Sequence, residues 1–241
     1  MKLFADLPVL RDMLFPPTRG ATHGERLDSF YHGQARAYDD FRRRLLHGRE
    51  ELMRGLEFPP GGVWFDMGSG TGSNAELVGE RLRTLKRAVL VDLCPSLQDV
   101  ARRRVKERDW RNVETVAADA TSWRADEPAD VVTFSYSLTM IPDWFRAINR
   151  AWENLRPGGW IGVVDFYISR KWPERDLRRH TRFQRFLFPL TYAWDNVFIS
   201  PDHLPYLRDR FEQVRLEERL GTIPYLPGLR SPYYLFIGRK R

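Results

Sequence analysis

One cysteine, Cys94, in 241 residues excludes an internal disulfide framework, and that poverty suits a reducing, cytoplasmic compartment. Cys94 reads as a small apolar filler behind a strand more readily than as a nucleophile. Five scattered histidines beside that cysteine form no ligand cluster, so no metal site is expected. No apolar run approaches the roughly 20 residues that span a bilayer. Asp6 and Pro8 interrupt the apolar opening, where a secretory signal needs continuity. Lysine is scarce as well: Lys2, Lys86, Lys106, Lys171 and Lys240 are the lysines among 39 basic residues. Arginine therefore carries the net charge of +7. Its planar fork suits phosphate and carboxylate, which points to an anionic partner without choosing between nucleic acid and a lipid surface.

A chain of this length can enclose one sizeable core, and we read 1–241 as a single α/β domain. Its organising stretch is Val63-Trp64-Phe65-Asp66-Met67-Gly68-Ser69-Gly70-Thr71-Gly72. A short apolar run, expected as a buried strand, meets an acid and then glycines at every second position. Glycine tolerates positive φ and lets a ligand come close to the backbone. Helical spacing from Asn74 to Leu82 makes the stretch a strand–loop–helix junction. Dinucleotide loops run G-x-G-x-x-G and seat a pyrophosphate. Here Asp66 precedes the glycines, which repels phosphate and suits a cationic, amino-bearing ligand. A glycine-rich turn in an unrelated α/β domain is the competing reading of this loop taken alone.

Later strand ends bear on that choice. Ala88 to Asp92 is a second apolar run closing on a carboxylate, twenty residues beyond Gly72, placed to accept hydrogen bonds from both hydroxyls of a ribose. Val113 to Thr121 sets Asp119 at a third strand end, and Ala129 to Leu138 reads as the fourth strand and the floor of the site. Leu155-Arg156-Pro157-Gly158-Gly159 closes the next helix, Trp160 to Phe166 is expected as strand five, and Phe211–Leu220 and Tyr233–Gly238 as two more. In this order the features resemble the class I S-adenosylmethionine-dependent methyltransferases, with Asp66 to Gly72 matching their motif I. The resemblance implies a Rossmann-like, seven-stranded sheet of order 3-2-1-4-5-7-6 with helices on both faces. It also implies S-adenosylmethionine as methyl donor. Its contacts would be Asp66, Gly68, Ser69, Gly70, Thr71, Gly72 and Asn74 on the loop, and Asp92 with Leu93 at the ribose. Asp119, Ala120 and Thr121 would lie at the adenine, and Ser135 on the floor.

Taken in order, residues 1–24 are apolar and proline-interrupted, which allows either membrane contact or a strap packed on the core. From Glu25 to Leu56 the apolar spacing is helical. A tyrosine-bearing leader helix is similar to the one that closes over the donor in small-molecule methyltransferases, where an aromatic flanks the sulfonium and a basic residue holds the methionine carboxylate. That likeness assigns Tyr31, Tyr38 and Arg49 to the cofactor; the pattern alone equally allows two core tyrosines and a solvated arginine. The basic run Arg102-Arg103-Arg104, Lys106 and Arg108 on a helix from Ser96 to Asp109 reads as a wet outer face or a docking surface. The sections are then 1–58 as strap and leader helices, 61–168 as the cofactor-binding core, 169–210 as a basic, aromatic segment, and 211–241 as terminal antiparallel strands.

That third section has three readings. Arg170 to Pro189 mixes arginines with Trp172, Phe183, Phe186 and Phe188. Such a stretch suits an interfacial membrane segment. It also suits a stacking grip on single-stranded nucleic acid, or a lid over strand five. Enzymes that methylate exocyclic amines of DNA bases carry [DNS]-P-P-[YFW] after strand four; Ser135-Tyr136-Ser137-Leu138 stands here instead, which disfavours that group. No other nucleic-acid module is recognisable.

Longer strings carry a closer resemblance. Phe30-Tyr31-His32-Gly33-Gln34-Ala35, Tyr38-Asp39-Asp40-Phe41-Arg42, Leu45 to Arg49, Ser135 to Trp144 and Val163 to Tyr167 look like the diacylglyceryl-homoserine N-methyltransferases of betaine-lipid synthesis. Asp195 to Leu207 and Pro232-Tyr233-Tyr234 fit as well. This likeness implies three methyl transfers to the amine of a homoserine-headed lipid, at the inner face of the plasma membrane. It implies an anionic membrane surface as partner, and the homoserine-lipid synthase (a 3-amino-3-carboxypropyl transferase) as a second; no nucleic acid is expected. Tyr136 is the residue expected to line the reacting amine, and His32 is the weaker candidate for its base. Tyr136 and Tyr167 with the leader tyrosines would form an aromatic wall for the growing cation, and Arg170 would meet the substrate carboxylate. RNA, another lipid or a small molecule as methyl acceptor, and a cofactor-binding protein without turnover, are the other readings.

Overall fold

The strand before the glycine loop, β1 (Val63–Met67), is buried at every position, as a parallel strand covered on both faces must be. The computed structural model describes residues 20–31, 44–194, 196–224 and 228–241. β1 pairs in parallel with β2 (Arg87–Asp92) on one side and β4 (Ala129–Ser135) on the other. β3 (Val113–Ala117) extends the sheet beyond β2, and β5 (Leu155–Phe166) beyond β4, both in parallel. β7 (Arg230–Arg239) runs antiparallel between β5 and β6 (Glu212–Thr222). The order is β3-β2-β1-β4-β5-β7-β6, as expected from the sequence. The chain runs outward from β1 to β3 and then returns to β4 on the other side. That reversal opens a crevice at the carboxyl ends of β1 and β4.

Alternation along the strands divides the apolar residues between two layers. Phe65, Met67, Phe134 and Val163 share one face with Ala147, Ile148 and Ala151 of α6 (Trp144–Asn154). Trp64, Leu90, Val164 and Leu235 share the other with Leu52 and Met53 of α2 (Arg49–Gly55). Burying each of the larger of these side chains stabilises the fold by roughly 1.5–3 kcal/mol. The one polar atom of Trp64 is accommodated: Nε1 donates to Thr133 Oγ1 at 2.9 Å.

Several boundaries differ from the sequence reading. Within the helical spacing of Glu25–Leu56, α1 spans His23–Tyr31, and α2 begins after Gly48, which is left-handed at φ 80°. Thr22 and Glu25 form a reciprocal capping box at the start of α1. The helix expected through Leu82 divides at left-handed Gly79 into α3 (Asn74–Val78) and α4 (Arg81–Thr84). α5 spans Pro95–Glu107, with proline in its first turn where no N–H is needed. Leu155–Gly159, expected to close the preceding helix, belongs to β5. Gly158 N donates to Lys240 O and Lys240 N to Gly159 O, both at 2.9 Å, so the chain terminus pairs with it. The third section folds as α7 (Arg182–Trp194) and α8 (His203–Arg210) after an irregular stretch.

Candidate cofactor and acceptor site

A cavity of about 250 Å³ opens at the carboxyl ends of β1, β2 and β4. The glycine loop forms one wall. Gly68, Gly70 and Gly72 all have positive φ, and two of them answer to neighbours as well. A Cβ on Gly68 would lie 2.4 Å from Ser137 Cβ, and one on Gly72 would lie 2.9 Å from Leu90 Cδ1. Gly68 therefore makes room for the loop after β4. Gly72 seats the loop against β2 and stands behind the cavity wall, unlike Gly68, Ser69, Gly70 and Thr71, which line it.

The acid before the glycines also stands behind the wall. Asp66 is fully buried and accepts from Asn74 Nδ2 at 2.8 Å and Thr133 Oγ1 at 2.7 Å. Burial pushes its carboxyl up to about 6, against the pull of those two hydrogen bonds and of Arg49. Asn74 lines the cavity and hands the connection outward. Its Oδ1 accepts from Arg49 Nη2 at 2.7 Å, and the same nitrogen donates to Ser73 Oγ at 2.6 Å. A continuous chain thus runs from Arg49 through Asn74 and Asp66 to Thr133 and Trp64. It couples the cavity wall to the core between β1 and β4.

Asp92 closes β2 on the same cavity. Its Oδ2 accepts Gly70 N at 2.7 Å and its Oδ1 accepts Cys94 N at 2.8 Å, so the carboxylate is held by backbone at a fixed angle. Cys94 follows as an almost inaccessible thiol whose pKa burial raises to about 11, consistent with filler. Leu93 and Leu97 line the wall beside it. Asp119 Oδ1 accepts Thr121 N at 2.8 Å, and Asp119, Ala120 and Thr121 also line the cavity. Two hydroxyls on that lining, Ser69 Oγ and Ser135 Oγ, are buried without a hydrogen-bond partner. Orphaned hydroxyls beside two carboxylates fit a ligand rich in amine and hydroxyl groups, and these residues fit S-adenosylmethionine.

The basic run on α5 is only partly a wet face. Arg104 turns inward, where Nη1 donates to Thr71 O at 2.5 Å and Thr71 Oγ1 at 3.1 Å. It pins the glycine loop from outside, a role the run of arginines concealed.

The remaining wall is apolar: Leu46, Tyr136, Met140, Ile141 and Pro142, with Asp143 beyond them. Tyr136 follows β4 in the left-handed region at φ 55°, a conformation that costs energy in a bulky residue and recurs at functional sites. Its hydroxyl donates to His47 O at 2.7 Å. Burial, and then Asp165, push the phenol well above its ordinary range. Tyr136 therefore lines this apolar wall as a neutral ring. His32 and Tyr38 lie outside the described residues, as does the side chain of Tyr31, the last residue of α1.

Two other expected partners are elsewhere. Phe166 backs Tyr136, with ring centroids 4.6 Å apart. Tyr167, one residue on, points to the opposite layer, where its hydroxyl meets Glu218. Strand alternation makes that correction unavoidable. Arg170 pairs with Asp202 at 2.6 Å in a separate small pocket, so it does not face this cavity. Asp165 was missed. Fully buried and pushed up to about 7 by burial, it accepts Thr139 Oγ1 at 2.8 Å and Thr139 N at 3.2 Å. It fixes the 3-10 turn Leu138–Met140 that carries Met140 into the wall. An acid inside the run Val163-Val164-Asp165-Phe166 was the available signal.

Comparison with known proteins agrees with this geometry. Residues 65–159 match a family described as a methyltransferase domain. Demethylmenaquinone methyltransferase of Listeria welshimeri is 26% identical over 118 residues, 48% of this chain and 50% of that protein. The ubiquinone/menaquinone biosynthesis C-methyltransferase UbiE of Hydrogenovibrio crunogenus is 30% identical over 109 residues, 44% of this chain and 43% of the relative. The chain thus spans about half the length of the curated relatives it matches. Among solved structures, the N-methyltransferase NodS of Bradyrhizobium japonicum, complexed with S-adenosyl-L-homocysteine, superimposes with a TM-score of 0.61. It covers 98% of each chain at 16% identity, a likeness of fold. Residues 65–159 thus match a methyltransferase domain, and the sheet around them has the fold of the methyltransferase structures it superimposes on.

Proposed function

We propose that the protein transfers methyl groups from S-adenosylmethionine to the amine of a lipid headgroup, diacylglyceryl-homoserine, three times in succession. The observation that carries this reading is the two-ended cavity. Its polar end offers Asp92, Asp119 and Ser69; its other end offers Leu46, Tyr136, Met140, Ile141 and Pro142. The donor supplies a methyl group made electrophilic by its sulfonium. Little beyond alignment is then asked of the chain, and a rigid wall provides it. Asp92, fixed by two backbone N–H groups, orients the nucleoside. Arg49, on Ser73 and Asn74, is set to meet a carboxylate. The ring of Tyr136, supported by Phe166, offers a π face to a nitrogen that gains positive charge. The nitrogen must shed a proton before each attack. With the Tyr136 hydroxyl engaged by His47, that proton leaves through water.

A second reading takes its support from the curated relatives, whose names describe demethylmenaquinone methylation and a C-methyltransferase of ubiquinone/menaquinone biosynthesis. An apolar acceptor end suits a quinone ring too. The deciding experiment offers labelled S-adenosylmethionine with diacylglyceryl-homoserine, demethylmenaquinone and bulk RNA in parallel, using Asp92→Ala as control. Mono-, di- and trimethylated homoserine lipid, lost in the variant, is the expected result. Label in quinone or RNA with none in the homoserine lipid would overturn the acceptor and leave the methyl donor standing.

A further inference from the structure

The outer face of α7 is built against the usual rule for a soluble helix. Its start is well specified: Thr181 and Gln184 exchange hydrogen bonds in a capping box, with Gln184 N donating to Thr181 Oγ1 and Thr181 N to Gln184 Oε1. Its inner face packs through Phe188, which is buried, and Tyr192. Phe183, Phe186 and Leu190, at the i, i+3, i+7 spacing of a single helical stripe, are 68, 70 and 62% exposed. Nearby in the chain Trp172 is 69% exposed, with the Arg179 guanidinium 4.6 Å and the Lys171 ammonium 5.6 Å from its ring centre.

Charge identifies what would cover that stripe. Between 170 and 185 the chain has seven basic residues and two acids, so this short segment supplies five of the seven net positive charges. Both acids, Glu174 and Asp176, pair with Arg208 of α8 and neutralise nothing in their own segment. Lys171, Arg175, Arg178, Arg179, Arg182 and Arg185 make no ion pair among the described residues. A second copy of the chain would bring the same positive charge to the contact and be repelled. An anionic bilayer offers acyl chains to the rings and phosphates to the guanidinium groups. Among the described residues no helix is long and apolar enough to cross a membrane, so the contact is a lying one.

The inner face gives the contact a purpose. Tyr192 meets Phe166 at 4.9 Å between ring centres, and Phe166 meets Tyr136 at 4.6 Å. Two rings therefore separate the solvent-facing helix from the acceptor end of the cavity. Phe198, also exposed, follows the helix with its N–H bonded to Thr139 O, on the turn that carries Met140.

We propose that α7 is an interfacial membrane anchor: Phe183, Phe186 and Leu190 enter the acyl region of an anionic bilayer while Arg179, Arg182 and Arg185 engage its headgroup phosphates. The inference goes beyond the acceptor assignment and does not depend on it.

The test is flotation of the full chain with vesicles of equal phosphatidylglycerol and phosphatidylcholine, or of phosphatidylcholine alone, with the variant Phe183→Glu/Phe186→Glu. Binding to the anionic vesicles should exceed binding to neutral ones at least tenfold and weaken as salt is raised. The variant should lose it while keeping its melting temperature and its affinity for S-adenosylhomocysteine. Absence of binding by the native chain, or equal binding by the variant, would overturn the proposal. A fall in the variant's melting temperature would overturn it too, because the stripe would then be covered by the chain itself. So would a dimer, seen by sedimentation, that the variant abolishes. Vesicle binding with no methyl transfer to the homoserine lipid would uphold the anchor and reject only the acceptor.

Discussion

The glycine loop and helix α7 spend their unusual residues in opposite ways. Around the loop, groups that belong in water are buried: Asp66, Asn74 and Thr133 are inaccessible and bonded to one another. On α7, groups that belong in a core face solvent, with Phe183 and Phe186 in water. A buried polar group is tolerable only when its bonds are satisfied inside the protein, so the loop is completed by the fold. An exposed apolar stripe is satisfied only from outside, which is the part the proposed anionic membrane would play for α7. The loop is finished on folding, and α7, on that proposal, on binding.

Substitutions can break that contrast. The largest effect is expected at the core that supports the loop, where Phe65→Ala should cost about 3–5 kcal/mol, read by urea unfolding. Next comes a pH effect on the two buried acids. Asp66 and Asp165 have folded pKa values raised by burial from 3.8 to about 6 and about 7. Each is therefore protonated more readily folded than unfolded. The stability it contributes is complete below 3.8 and is lost as pH rises through the folded value. At about 1.36 kcal/mol per pKa unit, Asp66 contributes on the order of 3 kcal/mol and Asp165 on the order of 4 kcal/mol across that window. Unfolding measured from pH 4 to 8 should show this fall, and Asp165→Asn should remove the part that extends to about 7. A pH-independent difference between variant and native chain would refute it.

Gly68→Ala should cost about 2 kcal/mol, since alanine is strained at positive φ and its Cβ would strike Ser137; calorimetry should register the loss of S-adenosylhomocysteine binding as well. Arg104→Ala removes the outside clamp on Thr71, and binding of the same ligand should weaken about tenfold, the order of one charged hydrogen bond. The smallest effect sharpens the comparison most. Phe186→Ala should move stability by no more than about 0.5 kcal/mol, although the residue type matches Phe65. A large loss there would mean α7 is completed by folding after all.

Much of the site was legible because its signals are local. The strand-end acids Asp92 and Asp119 follow apolar runs, and the alternating glycines need a backbone that only glycine adopts easily. Both acids were found on the cavity wall. Asp66 was legible as important but not as buried behind Asn74, since only the packing of β1 against β4 decides which side its carboxylate faces. Arg104 looked like one charge in a wet run, because its partner Thr71 lies 33 residues away. Tyr167 was named for the aromatic wall and Phe166 was not, because the parity of β5, which no local pattern reveals, sets which ring turns inward.

By itself, then, the amino-acid sequence determined where the strands lie along the chain, the turns that only glycine makes and the acids that end two strands; each depends on neighbours a few residues away. The tertiary structure alone decided which groups share a cavity, that the Tyr136 hydroxyl is engaged by His47 and Arg170 by Asp202, and that the apolar stripe of α7 faces outward. Those outcomes depend on distances between residues remote in the chain, which no local pattern encodes.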